Sequence, residues 1–218
     1  MMASRPKQAE ARPAPRLYLI TPQVAEANGF AGQLADALAA ADVAAVLLRL
    51  AAADERTLIN RVKELAPLVQ DKDAALLLDG LLSLVARAGA DGAHVSDIAD
   101  LGAALELLKP DRIVGAGSLV TRHDAMLAAE AGVDYVMFGG PAAGQPSEFS
   151  AIADRIAWWS EVFELPCIGY AATREEIAPL VAAGADFVAL DYVWADPRGV
   201  AAALADAAER LQRAEIAP

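Results

Sequence analysis

The tripeptide Gly-x-Asp stands three times at the threshold of an apolar run: Gly89-Ala90-Asp91, Gly132-Val133-Asp134 and Gly184-Ala185-Asp186. Each follows an Ala-rich stretch and precedes a short hydrophobic segment, AHV, YVMF or FVAL. Glycine at a helix C-terminus supplies the left-handed residue that ends the helix, and the polar Asp opens the next strand. The recurrence predicts a series of helix–turn–strand units, which bury their hydrophobic faces by closing into a ring.

Eight strand–helix units can be placed. Strands are expected at Leu17–Thr21, Val43–Arg49, Ala74–Asp79, Ala93–Val95, Arg112–Ala116, Tyr135–Gly139, Pro166–Tyr170 and Phe187–Asp191. Most are continuous apolar runs rather than alternating ones, which indicates a parallel sheet buried on both faces. Helices fill the intervals, at about residues 30–40, 54–69, 81–88, 100–108, 122–131, 150–163, 174–183 and 197–213. Thr173 and Glu176 have capping-box spacing, and Asp54 precedes a clean helical segment. Asp196-Pro197 reads as an N-cap with proline at the first helical position. An open doubly wound sheet is the rival, but eight units without a Gly-x-Gly-x-x-Gly turn favour closure. The expected fold is one α/β domain, a (β/α)8 TIM barrel over residues 16–218, behind a disordered tail at 1–15.

The formal net charge of −12 argues against nucleic acid and anionic membrane as partners, because an acidic surface repels phosphate backbones and headgroups. No uncharged apolar run approaches the roughly 18 residues of a membrane span. The first fifteen residues lack the apolar core of a secretory leader. Cys167 is the one cysteine, which allows no intrachain disulfide and suits a reducing cytoplasm.

Barrels of this kind carry their chemistry at the carboxyl ends of the strands. Arg49 ends a buried strand, where it is either half of an ion pair with Asp79 or Asp191, or an anion ligand. Asp79 is a magnesium ligand or a structural acceptor. Asp97 and Asp100 are metal partners or helix caps. His94, inside a strand, reads as packing more readily than as catalysis, and His123 as exposed. Cys167 reads as core. The backbone amides of Gly139-Gly140-Pro141 could face a ligand. Trp158 lies off the inward face of its helix and is either a partly covered surface ring or the contact of a homodimer.

The segments RLYLIT, VLLR, GADGAHVSD, IVGAGS, AGVDYVMFGGP, LPCIGYAATREEI and GADFVAL followed by ADP, in that order, resemble the thiamine phosphate synthase and thiazole tautomerase family from Leu17 to about Leu211. The resemblance implies a magnesium-dependent cytoplasmic transferase. Its ligands would be small and phosphorylated: an aminopyrimidine diphosphate joins a thiazole phosphate with release of pyrophosphate. Carried over, Arg49 and Ser118 become catalytic candidates. Arg49, Asp79, Gly139 and Gly140 become substrate contacts, and Asp79 with Asp97 the metal ligands.

Several family positions differ. The Arg-x-Lys after the second strand is Arg49-Leu50-Ala51, and the Asn-Asp after the third is Leu78-Asp79. Gly-Gln-x-Asp after the fourth is Ser96-Asp97-Ile98-Ala99, so Asp97 or Asp100 would have to replace the metal-binding Asp. The Gly-x-Ser-x-His after the fifth keeps Ser118 and loses the His. A Thr- and Lys-rich loop after the sixth becomes residues 142–147, AAGQPS, and a Gly-Gly turn after the seventh becomes Ala171-Ala172, where a Cβ obstructs backbone approach to phosphate. The four lysines, Lys7, Lys63, Lys72 and Lys109, fall in the tail, a helix and two loops of the opposite rim. Arg122 and Arg174 begin helices at the catalytic mouth and are expected to point into solvent. Weakened or lost synthase activity, a phosphate-binding regulatory barrel, and a barrel with other chemistry at Asp79, Asp97 and Arg49 all follow from these residues.

Overall fold

A computed structural model describes residues 13–141 and 148–216, which leaves most of the tail and the 142–147 loop outside the described residues. The chain runs β1 (Arg16–Val24), α1 (Ala27–Ala40), β2 (Val43–Leu50), α2 (Glu55–Gln70), β3 (Ala75–Asp79), α3 (Val85–Ala88), β4 (Gly92–Val95), α4 (Leu101–Leu108), β5 (Ile113–Ala116), α5 (Arg122–Ala131), β6 (Tyr135–Phe138), α6 (Phe149–Val162), β7 (Cys167–Ala171), α7 (Ile177–Ala182), β8 (Phe187–Leu190) and α8 (Val200–Ile216). All strand pairs are parallel, and β8 returns to β1, so the sheet closes into an eight-stranded TIM barrel.

Strand periodicity divides the core in two. Leu17, Leu19, Val46, Leu48, Leu76 and Leu78 face outward into the layer shared with the helices. Tyr18, Ile20, Leu47, Leu77, Met137 and Ile168 fill the ring. Both faces are buried, which is why the strands read as unbroken apolar runs. Each fully buried Leu contributes about 1.5–3 kcal/mol of transfer free energy, so the two layers together dominate the stability.

The Gly-x-Asp joints have a more specific role than opening a strand. Gly89, Gly132 and Gly184 have φ of 80°, 100° and 93°, the left-handed caps that the sequence implied. Each following Asp then grips the preceding strand at two points. Asp91 accepts from Leu76 N at 2.7 Å, Asp134 from Val114 N at 2.7 Å, and Asp186 from Cys167 N at 2.8 Å. Their own amides donate to the carbonyls of the same three residues. At the β1–β2 pair Asp42 holds the Arg16 guanidinium of β1, at 2.8 and 3.0 Å. Four carboxylates thus tie β1, β3, β5 and β7 to the strands that follow them.

Several boundaries differ from expectation. β1 continues past Pro22 to Val24, and a register shift between Ile20 and Gln23 absorbs the proline's missing donor. α8 begins at Val200, not at Pro197. The Asp196 carboxylate accepts from Arg198 N at 2.9 Å and Gly199 turns with φ 88°, so the apparent cap is a turn one step before the helix. Short 3₁₀ turns at 82–84, 98–100 and 174–176 lead into α3, α4 and α7. The Asp54 cap and the Thr173–Glu176 capping box are present, and a second capping box, Thr121 with Asp124, starts α5.

Candidate active site

At the carboxyl end of the ring a cleft is lined by Ile20, Leu47, Arg49, Asp79, His94, Ser96, Ser118, Met137, Gly139, Gly140 and Pro141. Side chains at the strand ends point inward there because the strand tilt carries alternate residues to the axis. Ile20, Leu47 and Met137 make an apolar floor. Above them Arg49 Nε lies 3.4 Å from Asp79 Oδ2. Arg49 therefore pairs with Asp79, while Asp191 accepts instead from the Tyr170 hydroxyl at 2.8 Å. The Arg49 amide donates to the buried Thr21 hydroxyl at 2.9 Å, fixing where the side chain leaves the strand. Burial pushes the Asp79 carboxyl above the usual range and the Arg49 charge pulls it back. Among the described residues Arg49 is the one cationic side chain lining the cleft.

The sequence candidates distribute unevenly. Arg49, Asp79, Ser118, Gly139 and Gly140 all meet in the cleft. Ser118 has φ 53°, left-handed backbone that a non-glycine residue adopts at a cost of about 1–3 kcal/mol, of the kind that clusters at active sites. Asp97 is exposed and caps the turn before α4, accepting from Ala99 N at 2.9 Å; neither it nor the exposed Asp100 lines the cleft. Cys167 is buried in β7, as expected of core.

Four other arginines near this rim are engaged. Arg122 is exposed, as expected, and lies over the Trp158 ring, 4.7 Å from its centroid. Trp158 also meets Trp159 and Phe163 edge-on, so its ring is partly covered within the chain. Arg174 turns to Glu175 at 2.8 Å. Arg61 and Arg155 reach the carbonyls of Ala51 and Leu119, each at 3.0 Å, without lining the cleft.

Sequence reasoning weighed packing against catalysis for His94 and did not find its partner. Its imidazole is buried and lines the cleft, with the Tyr135 hydroxyl 2.9 Å from Nδ1; Tyr135 in turn meets the Tyr18 hydroxyl at 3.0 Å. Burial pushes the His94 pKa down to about 4 and raises those of Tyr18 and Tyr135. The ring is neutral at physiological pH. Trp194, also missed, donates to the Ile20 carbonyl at 2.7 Å and packs on Phe30, pinning the β8 loop to the rim.

As for magnesium, no group of three or more His, Cys, Asp or Glu among the described residues could hold a metal. Asp79 is the one carboxylate they place in the cleft. That fits an ion held mainly by a substrate's phosphate oxygens, the ordinary way magnesium binds with few protein ligands.

Fold and cleft together define a (β/α)8 barrel with its candidate chemistry at the carboxyl mouth. Residues 17–191 match the family described as thiamine monophosphate synthase, and the chain belongs to that family. A thiamine-phosphate synthase of Rhodospirillum centenum is 43% identical over 196 residues, spanning 88% of this chain and 95% of that one. One from Hyphomonas neptunium is 37% identical over 206 residues, spanning 90% and 93%. Among solved structures, a thiamine phosphate pyrophosphorylase from Pyrococcus furiosus superposes with a TM-score of 0.76 at 20% identity, over 91% of this chain and 96% of that one. A 3-hexulose-6-phosphate synthase follows at 0.68 and 12%, over 89% and 99%. These two are likenesses of fold. No helix among the described residues is long and apolar enough to cross a membrane.

Proposed function

We propose that this protein is a transferase of thiamine biosynthesis that joins an aminopyrimidine diphosphate to a thiazole phosphate in the upper cleft, more slowly than relatives with a full basic set. The bond to diphosphate breaks and pyrophosphate leaves with the electron pair, so the site must stabilise growing negative charge. Arg49 is the group for this task, with the Ser118 hydroxyl and the amides of Gly139 and Gly140 as neutral donors. Asp79 would hold magnesium together with phosphate oxygens, and the ion would offset the charge of the leaving group. The observation that carries the reading is Arg49 paired with Asp79 on an apolar floor at the strand ends. The desolvated setting strengthens each interaction with an anion.

Slowness follows from the same place. Each lost charged hydrogen bond costs on the order of 1.5–3 kcal/mol, so the two missing cationic donors, the Lys after the second strand and the His after the fifth, amount to roughly 3–6 kcal/mol, a hundredfold or more in rate. The substituted 142–147 loop lies outside the described residues and does not enter this count. That the described residues bring one guanidinium to the cleft also favours a second reading, a barrel that binds a phosphorylated ligand without turnover. An assay with both precursors and magnesium separates them. Thiamine phosphate and pyrophosphate in equal amounts support the first reading; no product at high enzyme concentration removes it. Thermal stabilisation by thiazole phosphate or pyrophosphate would then support the second.

A further inference from the structure

The hydrogen-bonded column inside the ring has a direction that its protons dictate. Tyr18, Tyr135 and His94 are all buried, and each hydroxyl has one proton to give. Among the described residues the Tyr18 hydroxyl has no hydrogen-bond partner besides Tyr135. If Tyr135 donated to Tyr18, the Tyr18 proton would be stranded in the core, at about 1–3 kcal/mol. The opposite order strands nothing. Tyr18 donates to Tyr135, and Tyr135 donates to His94 Nδ1. A neutral imidazole that accepts at Nδ1 carries its proton on Nε2.

Two glycines of one short segment make room for this column. A Cβ on Gly115 would lie 1.9 Å from Tyr135 Cζ, and one on Gly117 would lie 2.2 Å from His94 Nε2. Gly115 therefore lets the Tyr135 ring cross the strand. Gly117 leaves the Nε2 edge of His94 without a side chain over it, and His94 is the register partner of Asp79 on the adjacent strand. The Gly-Ala-Gly at 115–117 is explained by what lies against it rather than by a turn.

We propose that His94 is a ligand-binding residue of the upper cleft, presenting Nε2–H as an uncharged donor to a phosphate oxygen, and that Tyr135 is the positioning residue that fixes this tautomer. The donor role rests on the functional reading above; the tautomer does not. A neutral donor adds direction to the charge that Arg49 supplies, without a second buried cation.

The chain has two histidines, His94 and His123, so the ring nitrogens can be followed by ¹⁵N-histidine NMR, with His94→Asn assigning the signals. In the unaltered protein at neutral pH, His94 is expected to show a bare Nδ1 and a protonated Nε2. Tyr135→Phe should mix the tautomers, whereas Tyr18→Phe should not, because Tyr135 still has only Nδ1 to receive its proton. Inorganic pyrophosphate with magnesium should shift the Nε2 signal. Its binding should weaken about tenfold in His94→Asn and stay within about threefold in His94→Gln, whose amide reaches near the Nε2 position. A proton on Nδ1, or an unchanged tautomer in Tyr135→Phe, overturns the positioning role. Pyrophosphate that binds without moving Nε2 overturns the donor role. If pyrophosphate does not bind at all, the functional reading falls and the donor role with it, while the spectrum of the free protein still decides the tautomer.

Discussion

The two rims of this barrel are built on opposite plans. At the amino-terminal rim one device recurs: a left-handed glycine, a spacer, and an aspartate that bonds both backbone groups of one residue in the neighbouring strand. At the carboxyl-terminal rim, apart from two helix capping boxes, the described strand ends share no common device. Arg49 pairs with Asp79, Tyr170 with Asp191, Trp194 with a β1 carbonyl, and Arg122 with an indole. Stability at a ring of equivalent strands can be secured by repeating one solution, whereas a ligand is asymmetric and needs a different group at each strand end. The repeated rim therefore reports fold, and the unrepeated rim reports function.

That division can be broken experimentally, and Arg49→Met should have the largest effect. Loss of the one described cleft cation is expected to lower kcat/KM by roughly 10²–10³-fold, as for removal of a preorganised transition-state donor, while the melting temperature hardly moves. A large fall in melting temperature would mean that Arg49 closes the barrel rather than serving a ligand. Asp134→Ala should do the reverse. It leaves the Val114 amide and Lys109 without their carboxylate, costs about 1.5–3 kcal/mol, and lowers the melting temperature by roughly 4–10 °C with KM unchanged. Gly132→Ala, forced to φ 100°, should cost on the order of 1 kcal/mol in a denaturant titration. Arg122→Ala, which loses one exposed contact with the Trp158 ring, should stay within about 1 kcal/mol of the parent in the same titration.

What the sequence revealed follows the same line. The strands were legible because both faces are buried, and the glycine caps because φ near +90° leaves few other residues. β1 was read too short because proline ordinarily ends a strand, and only the bulge against β2 shows how Pro22 is carried. The start of α8 was misplaced because Asp-Pro is equally good chemistry for a cap and for a turn. Arg49 and Asp79 could be singled out because a charge at the end of an apolar run needs a reason. The partner of His94 could not, since Tyr135 lies 41 residues away in sequence and only the fold brings its hydroxyl to Nδ1. Cross-barrel contacts of this kind leave no local pattern.

Calorimetric titration of magnesium pyrophosphate into the parent, Arg49→Met and Asp134→Ala tests the division of labour most directly. The account predicts equal affinity in the parent and Asp134→Ala, and at least about tenfold weaker binding in Arg49→Met. Equal binding by all three would place the anion site somewhere other than the upper cleft and contradict it.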